Sequence, residues 1–88
     1  MSPTAALHAK PRPSTKPVRL SLLPKKAQGI VVEHRTEASI AQRLAALGLG
    51  VGARFRVLQT GSRLTVLVGE SRIGLGPDLA EAVWAIAR

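Results

Sequence analysis

Ile40, Leu44 and Leu47 recur at i, i+4 and i+7, which lays one apolar stripe along a short helix predicted over residues 39–47. Ser39 is placed to cap that helix, with Gln42 three residues on completing a capping box. Gly48 falls where a helix commonly ends in a left-handed residue. The pattern on either side has a period of two or is continuously β-branched. Ile30-Val31-Val32 predicts a strand from Gly29 to His34, with both faces partly covered. Ala53-Arg54-Phe55-Arg56-Val57 alternates apolar and basic, so one face is buried and the other wet. Leu64 to Val68 is the returning strand, after a hairpin turn at Gly61-Ser62 whose leading glycine suits type II′. Gly69-Glu70-Ser71 turns again into Arg72-Ile73-Gly74-Leu75. Pro77-Asp78 makes a break or a single helical turn, and Ala82 to Ala87 closes the chain as a last strand. Ahead of all these, Leu20, Leu22 and Leu23 read as a short anchor strand before a turn at Pro24-Lys25-Lys26.

That order, five or six short strands with tight glycine turns and one helix after the first long strand, predicts a small, mainly β protein. A strongly bent SH3-like barrel is the expected architecture, because closure removes exposed edges. The chain has 88 residues and no cysteine, so it forms one small domain without disulfides or a thiolate metal site. No apolar run approaches the roughly 20 residues needed to span a bilayer, and the N-terminus lacks the hydrophobic core of a secretory signal. A soluble cytosolic protein is expected.

Charge divides the chain. The formal net charge is +8, and half of it comes from residues 1–19, where Lys10, Arg12, Lys16 and Arg19 meet no acid. Pro3, Pro11, Pro13 and Pro17 lie in the same stretch, which predicts a flexible basic arm (1–19) ahead of a domain at 20–88. The arm reads either as a contact for an anionic partner or as a solubilising extension. Arg54, Arg56, Arg63 and Arg72 are placed to share a basic face on the meander, which keeps a nucleic-acid-binding barrel as an alternative function. The chain has no tyrosine, and its single Phe and Trp are expected in the core, so the stacking platform of single-strand binders is missing.

Catalytic chemistry finds little support. The acids Glu33, Glu37, Glu70, Asp78 and Glu81 are scattered, and the two histidines are His8 and His34. A general acid–base pair needs at least two convergent groups. His34 with Glu37, and His8 in the arm, are weak surface candidates for a divalent metal; a solvated strand end is the plainer account of His34. Gly48, Gly50 and Gly52 follow a helix instead of opening one, the reverse of a phosphate-binding loop. No cofactor is expected.

The ordered set of motifs resembles the ferrous-iron transport protein A (FeoA) family in its stand-alone form. An Arg-Leu-x-x-Leu-Gly-hydrophobic segment ending in Gly is matched by Arg43, Leu44, Leu47, Gly48, Leu49 and Gly52. Ile73, Leu75, Asp78, Ala80 and Val83 fit the family's later strand, acidic residue, Ala and closing strand, and Leu20-Ser21-x-Leu23 fits its opening. The similarity covers about residues 20–87. Three positions depart from it: Lys26 stands for a common turn glycine, Val51 for a common proline, and Gly76 for a common basic residue. The resemblance implies a non-enzymatic accessory protein of bacterial ferrous-iron uptake. Its partner would be FeoB, a membrane permease with a cytosolic G-protein domain, and a homodimer is compatible with that role. The docking set would be Arg43, Leu44, Leu47, Gly48, Leu49 and Gly52. Leu44 and Leu47 read as core or contact. Leu49, between glycines, is the expected exposed contact, and Arg43 either reaches an acidic partner or caps local carbonyls.

Overall fold

A computed structural model describes residues 16–88. His8, and the part of the expected arm before residue 16, lie outside the described residues. The elements are β1 (Val18–Arg19), a 3-10 turn (Leu20–Leu22), β2 (Gln28–His34), α1 (Ala38–Leu44), β3 (Arg54–Gln59), β4 (Leu64–Val68), β5 (Ser71–Leu75), α2 (Pro77–Ala82) and β6 (Val83–Ala87). All six strands form one antiparallel sheet in the order β1-β6-β2-β3-β4-β5, coiled as an SH3-like barrel. Bulges between Val31 and Glu33 and between Val57 and Gln59 supply the bending, because an extra residue on one strand increases its local twist. β1 and β5 are the sheet's edges. Helix α2 packs on β1, β5, β6 and the 3-10 turn, and so covers the seam that hydrogen bonds leave open.

Alternation sorts the side chains. Val31, Phe55, Val57, Leu64, Val66, Ile73, Leu75, Val83 and Ala85 point inward from the strands, and Leu20, Leu23, Leu44, Leu49, Ala80 and Ala82 complete the core. Among the described residues no polar or charged side chain is buried. Gly29 is needed where it stands. A Cβ there would come within 2.6 Å of the Ile86 carbonyl oxygen and 2.9 Å of the Phe55 ring, which lies over this glycine's backbone.

Several elements differ from expectation. The segment at Leu20 is a 3-10 turn, not a strand, and its spacing of three puts Leu20 and Leu23 in the core while Leu22 is 69% exposed. β1 precedes it at Val18–Arg19, ahead of the expected domain start. Helix α1 begins at Ala38, with Glu37 as its capping residue and no side-chain cap bond, so Ser39 lies inside the first turn. β2 holds to β6 through His34, and the Arg35 N–H bonds the Ala82 carbonyl, which sets the helix entry before any hydroxyl cap at Ser39 can form. The β3–β4 connection runs over residues 60–63 next to a bulge, with Gly61 at φ +118°, and is too long for a two-residue type II′ turn. The φ pattern of that turn occurs instead at Gly69-Glu70, where Val68 pairs with Ser71 and Gly69 has φ +60°. The closing strand is preceded by a full helix, α2, with Pro77 in its first turn.

Candidate functional site

The helical path of α1 continues past Leu44 to Leu47. Gly48 ends it at φ +105°, in the left-handed region where a side chain is strained. Gly50 is extended, and the Ala53 N–H then bonds the Gly50 carbonyl at 3.0 Å with Gly52 at φ +94°. That is a type II turn with Val51 and Gly52 at its centre, and it explains why proline suits position 51 and glycine position 52. Three bonds fasten this corner to β2. The Gly52 N–H donates to the Val31 carbonyl at 2.7 Å, the Val31 N–H donates to the Ala53 carbonyl at 2.9 Å, and His34 Nε2 lies 2.7 Å from the Leu49 carbonyl oxygen. A carbonyl only accepts, so Nε2 carries the proton in that contact.

The corner reverses the expected roles of two leucines. Leu49 is 0% exposed and belongs to the core, whereas Leu47 is 44% exposed. The physical reason lies at Gly48, whose left-handed turn ends the helical path and swings Leu49 inward, while Leu47 in the last turn stays at the surface. Leu44 is fully buried, and Arg43 is exposed. Val51, 67% exposed, takes the place expected of Leu49. With Leu47 it makes two of the three exposed large apolar residues described, and both flank the same buried Leu49. Sequence reasoning missed Val51, although its departure from a common proline marked the position.

His34 is committed to the corner, since its Nε2 faces Leu49 and not open solvent. Glu37 is exposed at the helix entry, and no group of three metal-ligating side chains occurs among the described residues. Glu33 pairs instead with Arg35 at 3.2 Å.

Trp84 is not core. Val83 and Ala85 take the inward positions of β6, which leaves Trp84 half-buried on the outer face. The Arg35 guanidinium stacks 3.7 Å from its ring centroid, and Arg19, its cross-strand partner on β1, lies at 5.4 Å. These residues, with Thr36, Asp78 and Glu81, line an open cleft of about 420 Å³ in which both signs of charge are present. Phe55, in contrast, is buried. The four meander arginines do share the outer face, since Arg54 and Arg56 alternate with buried Phe55 and Val57, and Arg72 pairs through Leu67 with Arg56. Arg63 lies across Gly74 of the same face, its Nε 3.2 Å from where a Cβ would stand.

The FeoA domain model matches residues 18–86, nearly the whole described chain. The chain belongs to the FeoA family. Among solved structures, an iron uptake regulatory protein (FeoA) is 29% identical with a TM-score of 0.77, over 83% of this chain and 100% of that one. The zinc complex of Stenotrophomonas maltophilia FeoA, described as a procaryotic SH3 domain protein, is 32% identical over 75% of this chain and 86% of its own, with a TM-score of 0.65. IdeR of T. acidophilum carries the same fold at 22% identity and a TM-score of 0.77, but over 37% of its length. Among curated proteins none matches. No helix among the described residues is long and apolar enough to cross a membrane.

Proposed function

We propose that this chain acts in ferrous-iron uptake as a non-catalytic accessory protein that docks on the cytosolic part of a FeoB-type permease. Support for the iron-transport role comes from the family match across residues 18–86. Support for a docking role comes from the helix-to-strand corner, which holds Leu47 and Val51 in water on a backbone pinned by three bonds to β2. A rigid pair of exposed aliphatic side chains loses little entropy when a partner covers it. The docking residues are therefore Leu47 and Val51, with exposed Arg43 at the rim; Leu44, Leu49, Gly48 and Gly52 hold the corner's shape. Docking biases the permease by binding one of its states more tightly than another.

The test is capture of detergent-solubilised FeoB by the purified chain, with and without guanine nucleotide. Saturable capture at physiological salt that is lost in Leu47→Glu and Val51→Asp supports the reading. Capture that neither variant weakens moves docking to another face. No capture in any nucleotide state overturns the permease as partner.

A further inference from the structure

Arg54, Arg56, Arg63 and Arg72 are exposed on one side of a three-stranded meander, and none pairs with a carboxylate in any ion pair found among the described residues. The register sets their spacing. Gln28, Arg56, Leu67 and Arg72 form a single row across β2, β3, β4 and β5. Arg54 sits in the next row beside Ile30, which pairs in turn with Ile86, and both isoleucines are half-buried on the same outer face. Arg56 and Arg72 stand two strand spacings apart, about 9.6 Å, so their charges repel within a Debye length, and no ion pair found among the described residues offsets them. The face thus interleaves guanidinium groups with exposed aliphatic edges and carries no acid in these rows.

The geometry points to a docking surface for anionic lipid headgroups: the Arg54–Arg56–Arg63–Arg72 face lies against a negatively charged bilayer surface. Two observations favour lipid over nucleic acid. Leu67, Ile30 and Ile86 add apolar edges among the arginines, which suits the boundary between headgroups and acyl chains and has no counterpart along a phosphodiester backbone. Bases, in turn, would find no aromatic to stack on: Phe55 points inward, and Trp84 is already covered by Arg35. This surface rests on the sheet's outer face and is independent of permease docking by Leu47 and Val51.

Co-sedimentation of the full chain with vesicles tests it, using about two parts phosphatidylcholine to one part phosphatidylglycerol beside pure phosphatidylcholine. Binding is expected to the anionic vesicles alone and to weaken as salt rises. The triple variant R54Q/R56Q/R72Q should lower the partition coefficient roughly 100-fold while melting like the parent chain. Should the triple variant fold poorly, Arg56→Gln alone should still lower binding about fivefold. K10Q/R12Q, which leaves the meander intact, should retain most of the binding. Parental binding by the arginine variants overturns the assignment, as does loss confined to K10Q/R12Q. RNA capture by a chain that ignores anionic vesicles overturns it too.

Discussion

The Leu47–Ala53 corner and the β3–β5 meander both present to water side chains that the fold does not use, and they present opposite chemistry. The corner offers Leu47 and Val51, with Arg43 nearby on the preceding helix, on a backbone tied to β2 by three bonds. The meander offers three arginines, Arg54, Arg56 and Arg72, on a regular ladder, where orientation follows from alternation alone, and Arg63 beside them from the β3–β4 connection. In the corner, position depends on two left-handed glycines, and the turn at Gly48 decides which leucine is core. In the meander, a shift of one residue would turn the strand arginines inward, an arrangement that burial of charge forbids. A built corner suits a specific protein contact, and a charged ladder suits a diffuse anionic one.

The sharpest way to break the comparison is to charge each leucine of the corner in turn. Leu49→Glu places a carboxylate in a core without buried polar groups and should cost more than about 4 kcal/mol, enough to unfold a domain of this size. Leu47→Glu should change stability by less than about 0.5 kcal/mol, because its side chain already meets water. Thermal melts of the two variants read the difference directly. A folded Leu49→Glu protein would mean that the corner opens without disturbing the core. Next in size is Gly48→Ala. The new Cβ would meet Ile73 Cδ1 at an ordinary 3.5 Å, so the cost is backbone strain at φ +105°, about 1–2 kcal/mol by urea unfolding. A neutral result would show that the left-handed turn is not what seats Leu49.

The same contrast separates what could be read in the sequence from what could not. Arg54-Phe55-Arg56-Val57 announces both its strand and its wet face, because a period of two ties side-chain direction to spacing. Gly48 was legible as a left-handed position, since few other residues tolerate one there. The inversion of Leu47 and Leu49 was not, because helical periodicity does not say which way the chain points after a left-handed residue. Trp84 was misplaced for a related reason. Its side depends on pairing with Arg19 and Glu33 across two neighbouring strands, with a bulge in one of them. His34 looked like a candidate metal ligand because its partner is a backbone carbonyl fifteen residues away, which no local pattern marks.

That contact gives the next prediction. His34→Phe keeps a ring at the end of β2 but removes the proton that Leu49's carbonyl accepts, and should cost about 1–2 kcal/mol. His34→Gln, whose amide can donate, should recover part of the loss. Equal destabilisation by both would place the value of His34 in its packing and not in the bond, and would leave the corner held by the two backbone bonds to Val31.

The smallest effects come from two type II turns that each lack one preferred residue. In the first, the Ala27 N–H bonds the Pro24 carbonyl at 3.1 Å and Lys26 sits at φ +77°, the non-glycine residue described there. Lys26→Gly removes the strain of a Cβ in the left-handed region, less the entropy that glycine loses on folding, and should stabilise by about 0.5–1 kcal/mol. In the second, Val51 occupies the position that proline pre-organises, and its N–H takes no part in the bonds that pin the corner. Val51→Pro should stabilise by about 0.4–1 kcal/mol through the unfolded chain. The two variants differ in what else they change. Lys26→Gly lies away from the corner and should leave FeoB capture as it was. Val51→Pro trims an exposed aliphatic side chain and should weaken capture while raising the melting temperature. If Val51→Pro captured FeoB as well as the parent, Leu47 alone would carry the apolar contact, and the corner's second turn would serve only to hold β3 against β2.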